Sequence, residues 1–324
     1  MKYWWLILVF VGGLVCAQDY TQNAYENIYD QVLQADAEQA VVSCQALQAT
    51  LDKGAKQRLA GFTQLVSAWA KVDANFILAD YQTEVADYPI LIDYFHVGKE
   101  DIVQSMQRII GTSMPAGQAL YKNSYQSLRA LDVVMFSGQW SKRRAELAQA
   151  ILHRACGRIT AVLKAYQQSR VAFLANTHQA LSVLVNASLN VIYKTRDQRI
   201  GQVSGLTKKT LGQFLPGDQQ YPYSKASWAV IGADLNALQA IWSSATAPNL
   251  STVVAAKKAD RYLSALEKAM TATLTAYHRI PDTKAFDTES VIPIFQGLKD
   301  MQNAIYGLVI GIGVTPQIID ADGD

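Results

Sequence analysis

The side chains best able to do chemistry concentrate in two short runs. In DYPILIDYFHVGKED (87–101), Asp93, His96 and Glu100 are spaced three and four apart, which puts them on one face if the stretch winds into a helix. Two carboxylates and an imidazole on one face can hold a transition metal or poise a proton near neutral pH. The competing reading makes Lys99, Glu100 and Asp101 the first turn of a helix, with His96 in a local hydrogen bond. In YKNSYQSLRALDVVMF (121–136), Arg129 and Asp132 are i,i+3 on a helix whose other face carries Leu128, Leu131, Val134 and Met135. A surface pair of that kind contributes only about 0.3–0.5 kcal/mol. Its apolar setting points instead to partial burial.

Of the remaining histidines, His153 reads as a polar flank, His178 lies at a possible helix start, and His278 lies near a helix C-terminus, where a cation suits the helix dipole. No H-E-x-x-H, glycine-rich phosphate loop or G-x-S-x-G occurs. Beyond the first 17 residues two cysteines remain, Cys44 and Cys156. An oxidising compartment permits a disulfide between them; two free thiols in helix cores are the alternative. Without a C-x-x-C they do not read as a structural zinc site.

Helices must position these groups. Apolar residues recur at three- and four-residue steps over roughly 20–53, 56–79, 98–110, 116–137, 141–176, 178–212, 224–244, 251–279 and 287–311. Ser224 and Ser227 offer a cap ahead of Val230 and Ile231. No segment sustains period-two alternation between turn signals, so the fold class is all-α. Gly54, Gly111–Pro115, Ser137-Gly138 and Ile280-Pro281 interrupt the helices, and 213–223 (QFLPGDQQYPY) is the strongest loop. Long helices joined by short turns imply two four-helix-bundle-like halves packed together. The break at Ser137–Ser141 divides them into 18–138 and 139–324.

The N-terminus carries an address. Lys2, the apolar run Tyr3–Val15 and the small residues around Val15-Cys16-Ala17 have the layout of a cleaved secretory signal over residues 1–17. Thirteen helical residues reach about 20 Å, short of a ~30 Å bilayer core. No later stretch is long and apolar enough to span a membrane, so the expected location is the periplasm or cell envelope. The chain has 324 residues, 29 Lys+Arg against 27 Asp+Glu, and 17% charged residues. That balance excludes an electrostatic nucleic-acid binder, which needs a cationic excess. The low charge content excludes a disordered tail protein.

Several blocks, in order along the chain, resemble imelysin-like proteins, bacterial envelope proteins that include iron-regulated proteins and a proposed metallopeptidase family. Leu65–Trp69 (LVSAW) is similar to the family's early Trp helix. Asp87–Asp101 is similar to its Pro…Ile-Asp-x-Phe-His…Lys-Glu-Asp block, and Ala119–Ser124 with Ala130–Asp132 to the surroundings of its motif. Lys194–Gly201 (KTRDQRIG), Ser224–Trp242 and the C-terminal run to Asp322-Gly-Asp324 match in kind. The resemblance implies two helical bundles with a functional site where they meet. It also implies a G-x-H-x-x-E signature, whose His and Glu are proposed to bind metal. Here Ser127 stands in the Gly place, Arg129 in the His place and Asp132 in the Glu place.

A permanently protonated guanidinium has no lone pair for a metal, and a hydrolytic zinc site needs three protein ligands plus a water position. The leading expectation is therefore a non-catalytic exported protein associated with iron or haem uptake. Its pocket between the bundles, at Asp93, His96, Glu100, Ser127, Arg129 and Asp132, would take a small anionic or iron-containing ligand, or meet an envelope partner. The alternative is a metallopeptidase holding zinc or iron through His96, Glu100 and Asp132. In the first reading Arg129 pairs with Asp132 and favours an anionic group.

Overall fold

The structure, a computed structural model, describes residues 20–95, 100–243, 247–257 and 259–317. The expected signal (1–17), His96 and Asp322–Asp324 lie outside the described residues. The described residues are mainly helical, with no strand among them.

The chain is helical from residue 20, passes through a π-helical stretch, Ile28–Gln34, and continues as α1 (Ala35–Thr50). One face buries Tyr25, Ile28, Tyr29, Val32, Ala37, Ala40, Cys44 and Leu47. After the turn at Gly54, α2 (Ala55–Ala74) returns along it, burying Phe62, Leu65, Val66 and Trp69 at helical spacing. Four shorter helices follow: α3 (Tyr88–Ile92), α4 (Ile102–Ile110), α5 (Ala116–Ala119) and α6 (Leu128–Phe136). Asp101 caps α4 by accepting from Gln104 N–H at 2.9 Å, and the Ser127 hydroxyl caps α6 by accepting from Ala130 N–H at 3.2 Å. The long α7 (Lys142–Ala175) is capped by Ser141 and, at 34 residues, spans about 50 Å.

Asn176 caps α8 (Thr177–Tyr193), which runs straight into a second π-helical stretch, Lys194–Gly201. Then come α9 (Ser227–Trp242), α10 (Leu250–Ala256), α11 (Asp260–Arg279) and α12 (Thr288–Ile312). Helices α1, α2, α6 and α7 form one packed group; α8, α9, α11 and α12 form the other, and α2 lies against α9 where the groups meet. Helices α11 and α12 approach closely because Gly297 and Gly307 face Thr273 and Tyr262, where a Cβ would come within 2.1 Å and 2.3 Å of side-chain atoms.

Several expected boundaries move. Because Asp101 is the cap, α4 starts at Ile102, and α3 has already ended at Asp93 in extended backbone. Asp93 and Glu100 therefore do not share a helical face. The expected helix 116–137 is broken by a 3-10 turn, Asn123–Gln126, before the Ser127 cap. The expected helix 178–212 stops at Gly201, and 251–279 is split into α10 and α11. At α9 the N-cap is Ala226, without a side-chain cap; Ser227 Oγ instead accepts from the Tyr221 N–H at 2.8 Å. Helix α7, on the C-terminal side of the Ser137–Ser141 break, packs with α1 and α6.

Cys44 on α1 and Cys156 on α7 form a disulfide with a Cα–Cα distance of 5.7 Å, deciding between the two readings of that pair. The two cysteines are 112 positions apart in sequence, and cross-linking so long a loop removes much unfolded-state entropy. Replacing both cysteines with Ala should lower unfolding free energy by about 2–5 kcal/mol. Chemical denaturation with and without reductant checks it: wild type should lose stability on reduction and the double variant should not respond.

Candidate functional site

Asp132 and Arg129 project from α6 onto one loop. Asp132 is fully buried; its Oδ2 accepts from the Tyr223 N–H at 3.1 Å and its Oδ1 from the Ser224 N–H at 2.9 Å. Arg129 Nη1 donates to the Gln219 carbonyl at 2.8 Å and the Gln220 carbonyl at 2.7 Å, and its guanidinium lies 5.5 Å from the Phe95 ring centre. The anticipated Arg129–Asp132 ion pair does not form. One helical turn instead offers a donor and an acceptor to a segment that has no backbone ladder of its own. Burial pushes the Asp132 carboxyl above its ordinary range, with the Ser224 and Tyr223 bonds opposing it.

The clamped loop leads into a buried charge cluster. Arg199, 6% exposed in the π-helical stretch, has Nη1 3.2 Å from Asp234 Oδ2 on α9 and Nη2 3.5 Å from Asp73 Oδ2 on α2. Its Nε donates to Gln220 Oε1 at 2.9 Å, and Gln220 Nε2 donates onward to Asp93 Oδ2. Lys194 Nζ lies 3.3 Å from both Asp73 oxygens, and Thr195 Oγ1 donates to Asp234 Oδ2 at 2.8 Å. The buried Tyr221 hydroxyl faces the Asp93 carboxyl. Three carboxylates thus share two cations, and Asp93 Oδ1 and Asp234 Oδ1 are buried without hydrogen-bond partners.

The imbalance sets the protonation states. Burial tends to raise Asp73, but Lys194 and Arg199 together hold it below its ordinary value. Burial pushes Asp93 up against the opposing pull of Arg199, and lifts Asp234 to about 6 despite Arg199 and the Thr195 bond. Burial, then the Asp93 charge, drive Tyr221 well above its usual range.

The other expected site residues are held elsewhere. Glu100 Oε1 accepts from Lys122 Nζ at 2.7 Å and Tyr125 Oη at 2.9 Å, while Oε2 accepts from Ser124 Oγ at 2.8 Å. Ser127, fully buried, caps α6 and donates to the Ser124 carbonyl at 2.7 Å. Glu100 and Asp132 share no partner, and among the described residues no group of three or more His, Cys, Asp or Glu could hold a metal ion. A guanidinium at Arg129, backbone amides on both Asp132 oxygens and an ammonium on Glu100 do not make a fit for the metal the resemblance implies.

Beside the cluster lies a cavity of about 410 Å³. Asp73, Phe76, Pro89, Asp93 and Phe95 line it from one side, and Asn190, Lys194 and Arg199 from the other. Sequence reasoning singled out Asp93 but not Asp73, Lys194, Arg199, Tyr221 or Asp234. One signal was available: Asp234 sits in SWAVIGADLNALQAIW, where apolar residues surround it on every side.

These features define an all-helical protein of two packed bundles whose junction is built around buried charges. The sequence profile of the imelysin (peptidase M75) family matches residues 26–306, and the chain belongs to that family. Among solved structures, it is similar to an imelysin-like protein from Psychrobacter arcticum, with 16% identity and a TM-score of 0.74 over 93% of this chain and 98% of that one. It is also similar to a protein from Parabacteroides distasonis described as an iron-regulated protein A precursor, with 10% identity and a TM-score of 0.73 over 91% and 95% of the two chains. At such identities the likeness establishes the shared fold. No curated protein sequence matches the chain.

Asp132→Ala strands two loop amides, each costing about 1–3 kcal/mol if left unpaired. A loss of roughly 2–4 kcal/mol is expected, with faster proteolysis inside 219–224; unchanged denaturant midpoint and cleavage pattern would contradict the clamp. The Asp234 carboxyl titrates near 6 in the folded chain against 3.8 as its reference. The folded state therefore binds the proton more tightly, and this group's contribution to stability falls as pH rises between those values. The stability difference between wild type and Asp234→Asn should shift against wild type from pH 4 to pH 7, measured by denaturant unfolding at each pH.

Proposed function

We propose that this chain is an exported, non-catalytic binding protein of the bacterial cell envelope, associated with iron or haem uptake, whose ligand site is the cavity at the bundle junction. The observation that carries this reading is the convergence of Asp73, Asp93, Lys194 and Arg199 on a 410 Å³ space. That volume falls within the range of small-molecule pockets, which combine apolar walls with a few placed polar groups. Phe76, Pro89, Ile90 and Phe95 supply apolar wall. Lys194, with 30% of its side chain exposed, supplies a cation that a ligand carboxylate can reach. Arg129 contributes indirectly, by holding Gln219 and Gln220 in place behind Arg199.

Support for the location comes from the signal-like residues 1–17 and from the absence, among the described residues, of a helix long and apolar enough to cross a membrane. Support for iron comes from the description of the Parabacteroides distasonis protein as iron-regulated. The peptidase reading has no described residue set behind it, since its ligands Glu100 and Asp132 are engaged apart and His96 is outside the described residues.

Thermal-shift titration with small carboxylates, their ferric chelates and haem tests the proposal. At least one should raise the melting temperature of wild type, and Lys194→Met should weaken its binding about ten-fold, the equivalent of one charge-assisted hydrogen bond. A flat response across the panel would remove the ligand reading. Stoichiometric zinc with chelator-sensitive cleavage of an unfolded substrate would restore the peptidase.

A further inference from the structure

Between the π-helical stretch and the clamped loop, the chain makes an excursion over residues 202–218 that the site does not use. Its tip reads TKKTLGQF (207–214), and no acidic residue occurs between Asp197 and Asp218. Lys208 and Lys209 are exposed, and neither has an ion pair or side-chain hydrogen bond among the described residues. Leu211 is 86% exposed and Phe214 51% exposed. Two large apolar side chains within four residues, flanked by two unpaired lysines, thus stand in water.

Hydrogen bonds and a close backbone approach shape the tip. The Gln213 N–H donates to the Thr210 carbonyl at 2.9 Å, closing a four-residue turn whose central residues, Leu211 (φ 49°) and Gly212 (φ 81°), are both left-handed. Such turns ordinarily take Gly, Asn or Asp at both places, because a Cβ crowds the following carbonyl there. Thr210 Oγ1 donates to the Thr207 carbonyl at 2.9 Å, and the Leu215 N–H to the Val203 carbonyl at 2.8 Å. At Gly205 (φ 77°) a Cβ would meet the Gln213 carbonyl oxygen at 2.8 Å, so the returning chain lies directly on that glycine. The excursion is mounted between the Arg199 cluster and the Arg129–Asp132 clamp. A leucine in an unfavourable backbone conformation, fully offered to solvent, gains nothing from the fold that holds it.

We propose that the 207–214 tip docks on a lipid bilayer containing anionic phospholipid. Leu211 and Phe214 enter the boundary between headgroups and acyl chains, and Lys208 and Lys209 meet the phosphates. A protein partner fits less well, since a stable interface covers about 800 Å² on each side and a tip with two apolar side chains offers far less. Interfacial insertion needs only a few apolar groups with cations beside them. The inference is independent of what fills the junction cavity.

The test uses the full chain with vesicles of phosphatidylcholine alone and of phosphatidylcholine with phosphatidylglycerol. Phe214→Cys, carrying an environment-sensitive fluorophore, reports on the tip itself and not on the apolar run at residues 3–15. Its emission should shift blue with the anionic vesicles, less so as salt is added, and stay unshifted with phosphatidylcholine alone. Lys208→Glu with Lys209→Glu should weaken the response at least ten-fold, each lysine near an anionic surface being worth roughly five-fold. Leu211→Asn should weaken it about ten-fold, the contribution of a large apolar side chain moved out of water, and should leave the melting temperature equal or higher because Asn tolerates the left-handed turn. No blue shift on anionic vesicles, or a shift that Leu211→Asn leaves intact, would overturn the proposal. So would a lowered melting temperature in Leu211→Asn, since the leucine would then serve the fold.

Discussion

A guanidinium taken almost wholly out of water must find its compensation inside the protein, and Arg199 finds it on three separate pieces of chain. Asp73 comes from α2, Asp234 from α9, and Gln220 from the loop ahead of α9. The desolvation cost of burying such a charge is several kcal/mol, and it is offset only if every partner is in place at once. The contact between the two helical groups is therefore more than apolar packing of α2 on α9. It is also the condition under which Arg199 can be buried, which ties the relative placement of the bundles to the geometry of the cavity beside them.

The same constraint explains the segment 219–224. Gln220 must present its amide to Arg199 on one side and Asp93 on the other, and a loop has no ladder to hold it so. Arg129 and Asp132 take over that task, gripping its carbonyls at one end and its amides at the other. At the place where the imelysin signature has a histidine and a glutamate, this chain has a device for fixing backbone. The Arg129–Asp132 spacing survives from the motif, but the chemistry of the two groups suits hydrogen bonding to peptide groups and not coordination of a cation.

Helical spacing made the fold legible. Long stripes such as Leu147, Ile151, Ile159, Val162, Tyr166 and Phe173 on α7 all turn out buried, because a helix cannot expose that stripe without losing its main stabilisation. Boundaries were less legible where one side chain decides them: Asp101 as a cap shortened the helix that would have aligned Asp93, His96 and Glu100. At the site, Asp93 was visible through its spacing with His96 and Glu100, and Arg129 and Asp132 as polar residues in an apolar run. Asp73, Lys194 and Arg199 carry no such local signal; the packing of α2 against the second group takes Asp73 and Arg199 nearly out of water and leaves Lys194 partly exposed.

By itself, then, the sequence determined the all-helical class, the membership in a family and the loss of the motif histidine, since periodicity and residue identity are properties of the chain alone. It left open whether Cys44 meets Cys156, and its leading reading paired Arg129 with Asp132. The tertiary structure decided both, bridging the cysteines and sending the arginine and aspartate to the loop instead. A charge's partner is fixed by distances of about 3 Å between segments far apart in sequence. No local spacing encodes them until the helices have packed.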